Sequence, residues 1–135
     1  MDERTRKVVL KTADIDVGII PVVNWLNSFH STFTLWCCEG RKKGEPRCDP
    51  NGHSAHPYVT FLCGELRDLD AIHAVARQVA ARLTGEDYIE VGEDRYYRER
   101  YTLTRFELSM SSRHVLQVLT ETLARNKVEE AIKRD

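Results

Sequence analysis

Apolar and polar positions recur along the chain with two different periods, which separate short strands from amphipathic helices. Period-two or short β-rich runs predict strands at residues 7–12, 32–38, 57–64, 88–91 and 97–110. Three- and four-residue spacing predicts helices over residues 16–28, from Asp68 or Asp70 through Leu83, and after Ser111 or Ser112. The predicted element order is therefore β-α-β-β-α-β-β-α.

This order predicts the fold class. Its first six elements match the ferredoxin-like βαββαβ unit. We therefore predict an α+β fold with a ferredoxin-like core, an extra strand and a C-terminal helix. One mixed or antiparallel sheet is expected to carry the helices on one face. The 135 residues are expected to form a single domain, residues 1–135.

Local signals predict the ends and the buried faces of the helices. Asp16 is predicted to cap the first helix, and Pro21 is tolerated only in a first turn, so this helix should begin near Gly18 or Ile19. The apolar stripe of the second helix is expected to contain Leu69, Ile72, Val75, Ala76, Val79, Ala80 and Leu83. The stripe of the last helix is expected to contain Val115, Leu116, Leu119, Leu123 and Ile132.

The second and third predicted strands should pair as an antiparallel hairpin. Strict alternation in residues 32–38 puts Phe33, Leu35 and Cys37 on one side of the strand, and Thr34, Trp36 and Cys38 on the other. In the partner strand Val59, Phe61 and Cys63 share a face. In residues 97–110 the apolar phase switches, which predicts a β-bulge near Thr104.

Composition and charge exclude several classes of protein. Hydrophobic residues make up 41% of the chain and charged residues 30%, which is typical of a globular protein. The net charge of −1 gives no global attraction to nucleic acid or anionic membrane. No apolar run approaches the roughly 20 residues of a membrane helix, and the N-terminal residues lack the apolar run of a secretory signal. A cytoplasmic location with reduced cysteines is therefore expected.

The connection between the paired strands is unusually long. It spans residues 39–56, which is 18 residues, whereas hairpin loops usually have about two to five. It contains Cys48, His53 and His56 and begins directly after Cys38. Four nitrogen or sulfur ligands can bind zinc tetrahedrally and order a segment that has no core of its own. The loop is therefore interpreted as a functional insert.

The expected hairpin register narrows the choice of zinc ligands. Cys38 should lie near Pro57 at the loop end, whereas Cys63 should lie opposite Thr32, five or more residues away along the sheet. At ~3.3 Å per residue that separation is too long for a shared metal, so Cys63 is predicted to be a buried core thiol. The predicted zinc ligands are Cys38 (or Cys37), Cys48, His53 and His56.

Two alternatives for these loop residues stay open. Their spacing lacks the paired Cys-x2-Cys knuckle of standard zinc sites, so they could be loop residues with no shared role. They could also include a thiolate nucleophile that a loop histidine assists.

A basic and aromatic run follows the fourth predicted strand. Arginine binds phosphates through two hydrogen bonds and tyrosine stacks on bases, so this run predicts contact with RNA or single-stranded DNA. The predicted nucleic-acid contacts are Arg95, Tyr97, Arg98, Arg100 and Tyr101. The alternative is an edge strand protected by its charges, which the interleaved Glu99 and Glu107 favour.

Two segments carry a family resemblance: residues 16–27 (DVGIIPVVNWLN) and residues 34–40 (TLWCCEG). Together they resemble the start of the tRNA wybutosine-synthesising methyltransferase family, in which a helix ending near an Asn leads to a strand closing in a Thr-x-Ser-Ser-Cys-Ser-Gly type motif. The resemblance implies an α/β protein that uses S-adenosylmethionine to methylate a modified guanine in tRNA. It implies that Cys38, Glu39 and Gly40 lie at the substrate or cofactor edge of the sheet. Gly40 also has a physical role, since it can adopt the positive φ of a turn where the strand ends.

The sequence thus supports three functions. The preferred interpretation is a small intracellular module that binds a ligand or protein partner and carries a zinc-ordered loop insert. The alternative is a tRNA-modifying, S-adenosylmethionine-dependent enzyme. A third interpretation is a structural or regulatory domain that associates through its exposed sheet edge.

Overall fold

The computed structural model describes residues 15–40, 56–93 and 104–134. A short 3-10 turn, Val17–Ile19, opens the described part of the chain. The helices are α1 (Ile20–Asn27), α2 (Leu66–Ala80) and α3 (Arg113–Arg134). The strands are β1 (Thr32–Cys38), β2 (Tyr58–Cys63), β3 (Ile89–Glu93) and β4 (Thr104–Met110).

The four described strands form one sheet in the order β1-β2-β4-β3. Every neighbouring pair in this order is antiparallel. The predicted α+β class is therefore confirmed, with an antiparallel sheet and, among the described residues, three α-helices. The predicted first strand, residues 7–12, lies outside the described residues.

The ferredoxin-like strand order is not confirmed. We predicted the last strand as an addition to a βαββαβ core, but β4 lies inside the sheet, with β2 on one side and β3 on the other. In the predicted ferredoxin-like core a different strand would pair with this edge of β2, and β4 occupies its position. Local periodicity indicates which segments are strands but carries no information on which strand becomes the neighbour of which.

The core lies between one face of the sheet and the three helices. Opposite residues of antiparallel strands point to the same face, and Val59 and Phe61 of β2 are fully buried beside Ile19, Ile72 and Leu119. Phe61 stacks on Phe106 of β4, with ring centroids 5.8 Å apart. Since burying a large apolar side chain contributes about 1.5–3 kcal/mol, this cluster dominates the stability of the fold. None of the helices in the described ranges combines the length and apolar character of a membrane-spanning segment.

A register shift in β1 changes which of its side chains face the core. The strand pairs regularly with β2 up to Thr34 and resumes at Trp36, so Leu35 is an extra residue in the pairing. Thr34 lies opposite Phe61 and Cys37 opposite Val59, on the core face, while Phe33 and Trp36 lie on the other face. The predicted strict alternation, with Phe33 and Cys37 on one side, was therefore wrong. The predicted bulge near Thr104 is not tested, because residues 94–103 lie outside the described part of the chain.

Helix α1 begins where the sequence predicts, with Pro21 in its first turn. Its last residue, Asn27, is bound to β1. The Asn27 side-chain amide donates to Thr34 Oγ1 at 2.8 Å, and Thr34 N donates to Asn27 Oδ1 at 3.0 Å. The Thr32 hydroxyl donates to the carbonyl oxygen of Leu26. These bonds fix the end of α1 against the strand that follows it.

The predicted ends and stripes of the other helices hold in part. Helix α2 begins at Leu66, before either predicted Asp, and Ala80 of the predicted stripe is exposed. Ser112 caps α3 as predicted, since its Oγ accepts a hydrogen bond from Val115 N at 3.4 Å. Ile132 is 68% exposed instead of buried. Residues 127–134 are all exposed, because α3 extends past the turn at which Asn126 bonds Gln78 of α2.

The carboxylate of Asp68 joins the first turn of α2 to the turn before β1. Asp68 Oδ2 accepts hydrogen bonds from Ser31 Oγ at 2.6 Å and from Ser31 N at 2.9 Å. Ser31 Oγ in turn accepts from Glu65 N at 2.9 Å. The hydrogen bond from the Ser31 hydroxyl, followed by that from its backbone N–H, holds the pKa of Asp68 below its ordinary value of 3.8.

We expect Asp68→Asn to lower stability most above about pH 4 and to lose this effect in acid. Because the folded-state pKa is depressed, the carboxylate's contribution is complete above its unfolded pKa and is lost as pH falls through the folded value. Urea unfolding of both proteins from pH 7 to pH 2 should show their free energies of unfolding converging below pH 4. A difference that stays constant over this range would contradict the assignment.

Candidate functional site

The face of the sheet opposite the helices carries the exposed aromatic side chains of the molecule's described part. We call this the open face. One row across it contains Trp36, Thr60, Glu107 and Gly92, and the next row contains Cys38, Tyr58, Ser109 and Glu90. Phe33 and Trp36 on this face are 44% and 49% exposed. Their cross-strand partners on β2 are Leu62 and Thr60.

A cleft of about 380 Å³ lies across these two rows. It is lined by Trp36, His56, Pro57, Tyr58, Tyr88, Glu90, Glu107 and Ser109, and we call it the open-face cleft. Its volume lies in the range of roughly 300–1,000 Å³ that small-molecule sites occupy. Three aromatic rings, two carboxylates and one imidazole therefore converge at one place, on all four described strands and the segments that flank them.

The carboxylates of the cleft lie on adjacent strands. Glu90 pairs with Ser109, and Glu107 lies two residues before Ser109 on the same face of β4. Such diagonal neighbours have Cβ atoms roughly 7–8 Å apart. The Ser109 hydroxyl donates to Glu107 Oε2 at 3.0 Å, which orients this carboxylate. Among the lining residues that the structure describes, none is a lysine or arginine, so the charged side chains that these residues contribute are the two carboxylates.

Arg105 contacts Trp36 from outside the cleft. Its guanidinium carbon lies 4.2 Å from the centre of the Trp36 ring, which is a cation–π contact. Arg105 pairs with Leu62, one row away from the cleft, while Glu107 in the row of Trp36 lines it. Thr60, which lies between Trp36 and Glu107, is only 1% exposed, so the large side chains around it close over this part of the open face.

Backbone and side-chain hydrogen bonds hold the far wall of the cleft. Tyr88 N donates to Ser111 Oγ at 2.9 Å, and the Ser111 hydroxyl donates to Asp87 Oδ1 at 3.0 Å. His56 Nδ1 lies 2.8 Å from Ser111 O. A carbonyl can only accept, so Nδ1 carries the proton and Nε2 is the acceptor of the neutral ring. Tyr88 and His56 are thus fixed to the same residue, at the junction of β4 and α3.

The segment after β1 is fixed by contacts to the first helix and the last. Glu39 Oε2 accepts from Gly18 N at 2.8 Å, and Glu39 N donates to Asp16 Oδ2 at 3.2 Å. Asp16 therefore occupies the predicted N-cap position, but the prediction that its side chain caps the helix was wrong. The Glu39 carboxylate binds the N–H group of Gly18, and the Asp16 carboxylate binds the N–H group of Glu39. Gly40 has a φ of +81°, which confirms its predicted turn, and its carbonyl accepts from Arg113 Nε at 2.5 Å.

The structure describes two of the four predicted zinc ligands. Cys38 is buried and lies opposite Tyr58, one residue from the predicted Pro57 because of the bulge at Leu35. Its Sγ accepts from Gly40 N at 3.4 Å. His56 is bound to Ser111 as described above. Cys48 and His53 lie outside the described residues. Within residues 15–40, 56–93 and 104–134, no cluster of three or more metal-binding side chains is present. The zinc site stays a prediction.

The other cysteines have the surroundings of core thiols. Cys63 is buried and lies opposite Thr32, so its predicted place and role are confirmed. Cys37 faces the core, and burial, with smaller contributions from Asp16 and Cys38, raises the pKa of its thiol to about 11. A thiol with this pKa is protonated at neutral pH, which counts against Cys37 as a nucleophile.

The predicted nucleic-acid contacts, Arg95, Tyr97, Arg98, Arg100 and Tyr101, all lie outside the described residues. The open-face cleft was not predicted from the sequence. Its members come from four separate segments, and on a strand such as β3 an outward Glu is the ordinary pattern. The one available signal was Trp36, a large apolar ring in a predicted strand.

Comparison with known proteins does not assign this chain to a family. The resemblance to the tRNA wybutosine-synthesising methyltransferases, with S-adenosylmethionine as cofactor and Cys38, Glu39 and Gly40 at its edge, stays a prediction. In the structure Glu39 and Gly40 make the contacts to α1 and α3 described above. No family model, no curated protein and no solved structure matches this chain.

Proposed function

We propose that this protein is a binding module that takes up a small ligand in the open-face cleft. The observation that carries the proposal is the convergence of Trp36, Tyr58 and Tyr88 with Glu90 and Glu107 in one preformed concavity. Aromatic walls with a few oriented polar groups are the usual composition of a small-molecule site. A cytoplasmic location is part of the proposal.

The supporting elements make the site rigid. The strands bring Trp36, Glu107 and Glu90 to fixed positions through the register of the sheet. Residues held on a scaffold of strands lose little conformational entropy on binding, so more of the contact energy appears as affinity. The hydrogen bonds to Ser111 likewise restrict Tyr88 and His56 before a ligand binds, which lowers the entropy lost on binding.

The proposal is tested by NMR on the 15N-labelled protein with four named probes: choline, glucose, adenosine monophosphate and oligouridine. We expect at least one probe to shift the indole N–H of Trp36 and the amides of Glu90 and Ser109 saturably. The amide of Leu66, at the start of α2 and outside the cleft, serves as the internal control. Trp36→Ala should abolish the amide shifts, and Phe33→Ala, on the same face outside the cleft, should leave those caused by choline, glucose or adenosine monophosphate unchanged. The proposal fails if no probe shifts these resonances, or if Leu66 responds equally.

A second candidate, RNA binding, is favoured by the exposed rings of Phe33 and Trp36 with Arg105 beside them. Aromatic side chains on a four-stranded sheet are a known platform for unpaired bases. The oligouridine arm tests it, since stacking would shift Phe33 and Trp36 and the affinity would fall steeply with salt. The carboxylates of Glu90 and Glu107 would repel phosphates, so we rank this candidate second.

A further inference from the structure

We propose that the open-face cleft binds a small organic cation, an alkylammonium group, with its charge between Glu90 and Glu107 and its alkyl groups against Trp36 and Tyr88. This inference rests on the proposed function and adds the chemical class of the ligand. It follows from three features of the cleft: its two carboxylates, the indole and phenol rings in its walls, and its hydrogen-bond acceptors.

The charge of the cleft selects a cation. Glu90 and Glu107 are diagonal neighbours, so their carboxylates face the same space across roughly 7–8 Å at the Cβ atoms. A cation between them lies close to both charges, and in a cleft walled by rings the attraction is stronger than in bulk water. An anion would meet two like charges there, and none of the lining residues within the described part of the chain is a lysine or arginine.

The rings of the cleft select an alkylated cation over a metal ion. The face of an indole or phenol ring attracts a cation within about 6 Å, and recognition of quaternary ammonium groups by aromatic walls uses this attraction. The Arg105 guanidinium, 4.2 Å from the ring centre, covers one face of Trp36, so the ligand is assigned to the rest of that ring and to Tyr88. A metal ion would need several oxygen ligands, whereas an alkylammonium group needs apolar contact on most of its surface.

Further polar groups of the cleft fit the remainder of such a ligand. Ser109 donates its hydroxyl proton to Glu107 and leaves its own oxygen lone pairs as acceptors. His56 presents Nε2 as an acceptor when its ring is neutral. These acceptors match a hydroxyl or N–H group attached to the cation, and a volume of about 380 Å³ holds a cation of this size.

The test compares choline with 3,3-dimethylbutan-1-ol, which has the same shape and no charge. Both are titrated against the 15N-labelled protein while the Trp36 indole N–H is followed. We expect choline to bind saturably and at least about fivefold more tightly than the neutral alcohol, since a desolvated cation–π contact contributes about 1 kcal/mol or more. Glu90→Gln and Glu107→Gln should each weaken choline binding severalfold. Glu86→Gln, an exposed carboxylate outside the cleft, is the matched control and should not.

A second comparison identifies the source of the cation. A short peptide of glycine and serine around one trimethyllysine is titrated beside free choline. Tighter binding of the peptide indicates a modified side chain of a partner as the ligand, and equal binding indicates a free small molecule. Either result supports the proposal.

The outcomes that overturn the inference differ from those that overturn the proposed function. Equal affinity for choline and the neutral alcohol would show that the site does not select a cation. This result would contradict the inference but would be consistent with the proposed binding function. Binding of glucose or oligouridine at the same resonances without binding of choline would do the same. If none of the probes shifts Trp36, Glu90 or Ser109, both proposals fail.

Discussion

Phe61→Ala is expected to lower the free energy of unfolding by about 3–5 kcal/mol, the range for removing a fully buried aromatic side chain. Phe61 is on β2, inside the sheet, with none of its side chain exposed. It stacks on Phe106 and packs beneath all three helices, so the cavity left by its ring has no flexible wall that could close it. Urea denaturation monitored by circular dichroism measures the loss.

Phe33→Ala is the matched control for this prediction. The same atoms are removed from the neighbouring strand, but Phe33 lies on the open face and is 44% exposed. We expect a loss of less than about 1 kcal/mol, as at surface positions that no special contact fixes. If the two variants lost equal stability, the open face would be packed as tightly as the core, and the division of the sheet into two faces would be wrong.

Gly40→Ala is expected to have the second largest effect. Gly40 has a φ of +81°, and a Cβ atom there would lie 2.9 Å from Pro57 Cδ and 3.0 Å from Pro57 Cγ. The proline ring is held by the backbone bond from Met110 N to Pro57 O, 3.0 Å long, so it cannot move away without disturbing the end of β4. The substitution therefore adds a steric collision to the backbone strain of a left-handed conformation.

Gly85→Ala separates these two costs. Gly85 also has a positive φ, +66°, but a Cβ atom there would meet nothing within 4 Å. It should lose only the conformational cost of roughly 1–2 kcal/mol, and Gly40→Ala should exceed it by about 1–3 kcal/mol, the range for overpacking. Thermal and urea unfolding of both variants check the difference. Equal losses would mean that Pro57 yields freely and does not restrain the turn.

Much of the local structure could be predicted from the sequence. The pairing of Thr32 with Cys63 follows once residues 32–38 and 57–64 are read as a hairpin, although the pairing beyond Leu35 is shifted by one residue. The start of α1 follows from Pro21, whose ring excludes later turns. The buried stripe of α3 up to Leu123 follows from helical spacing. In each case a short stretch of chain contains the whole signal.

The errors occur where distant segments decide the outcome. The segment TFTLWCC has apolar side chains at both parities, so its period could not show the bulge at Leu35; the hydrogen bonds between Asn27 and Thr34 help to fix Thr34 on the core side. Asp16 was predicted to cap the helix with its side chain because nothing local in the sequence indicates that Glu39, 23 residues later, binds the N–H group there. The open-face cleft needs the order β1-β2-β4-β3, which brings Glu90 and Glu107 together, and no local pattern encodes that order.

The bonds at the two ends of α1 and β1 have a consequence for how the molecule opens. At one end Asn27 binds Thr34. At the other, the Glu39 carboxylate, just after β1, binds Gly18 N in the 3-10 turn before α1, and the Asp16 carboxylate binds Glu39 N. A helix and strand joined at both ends cannot fray progressively from either end. Their amide hydrogens are therefore expected to exchange with solvent as one cooperative block, whose protection reports the detachment of the whole α1–β1 unit from the sheet.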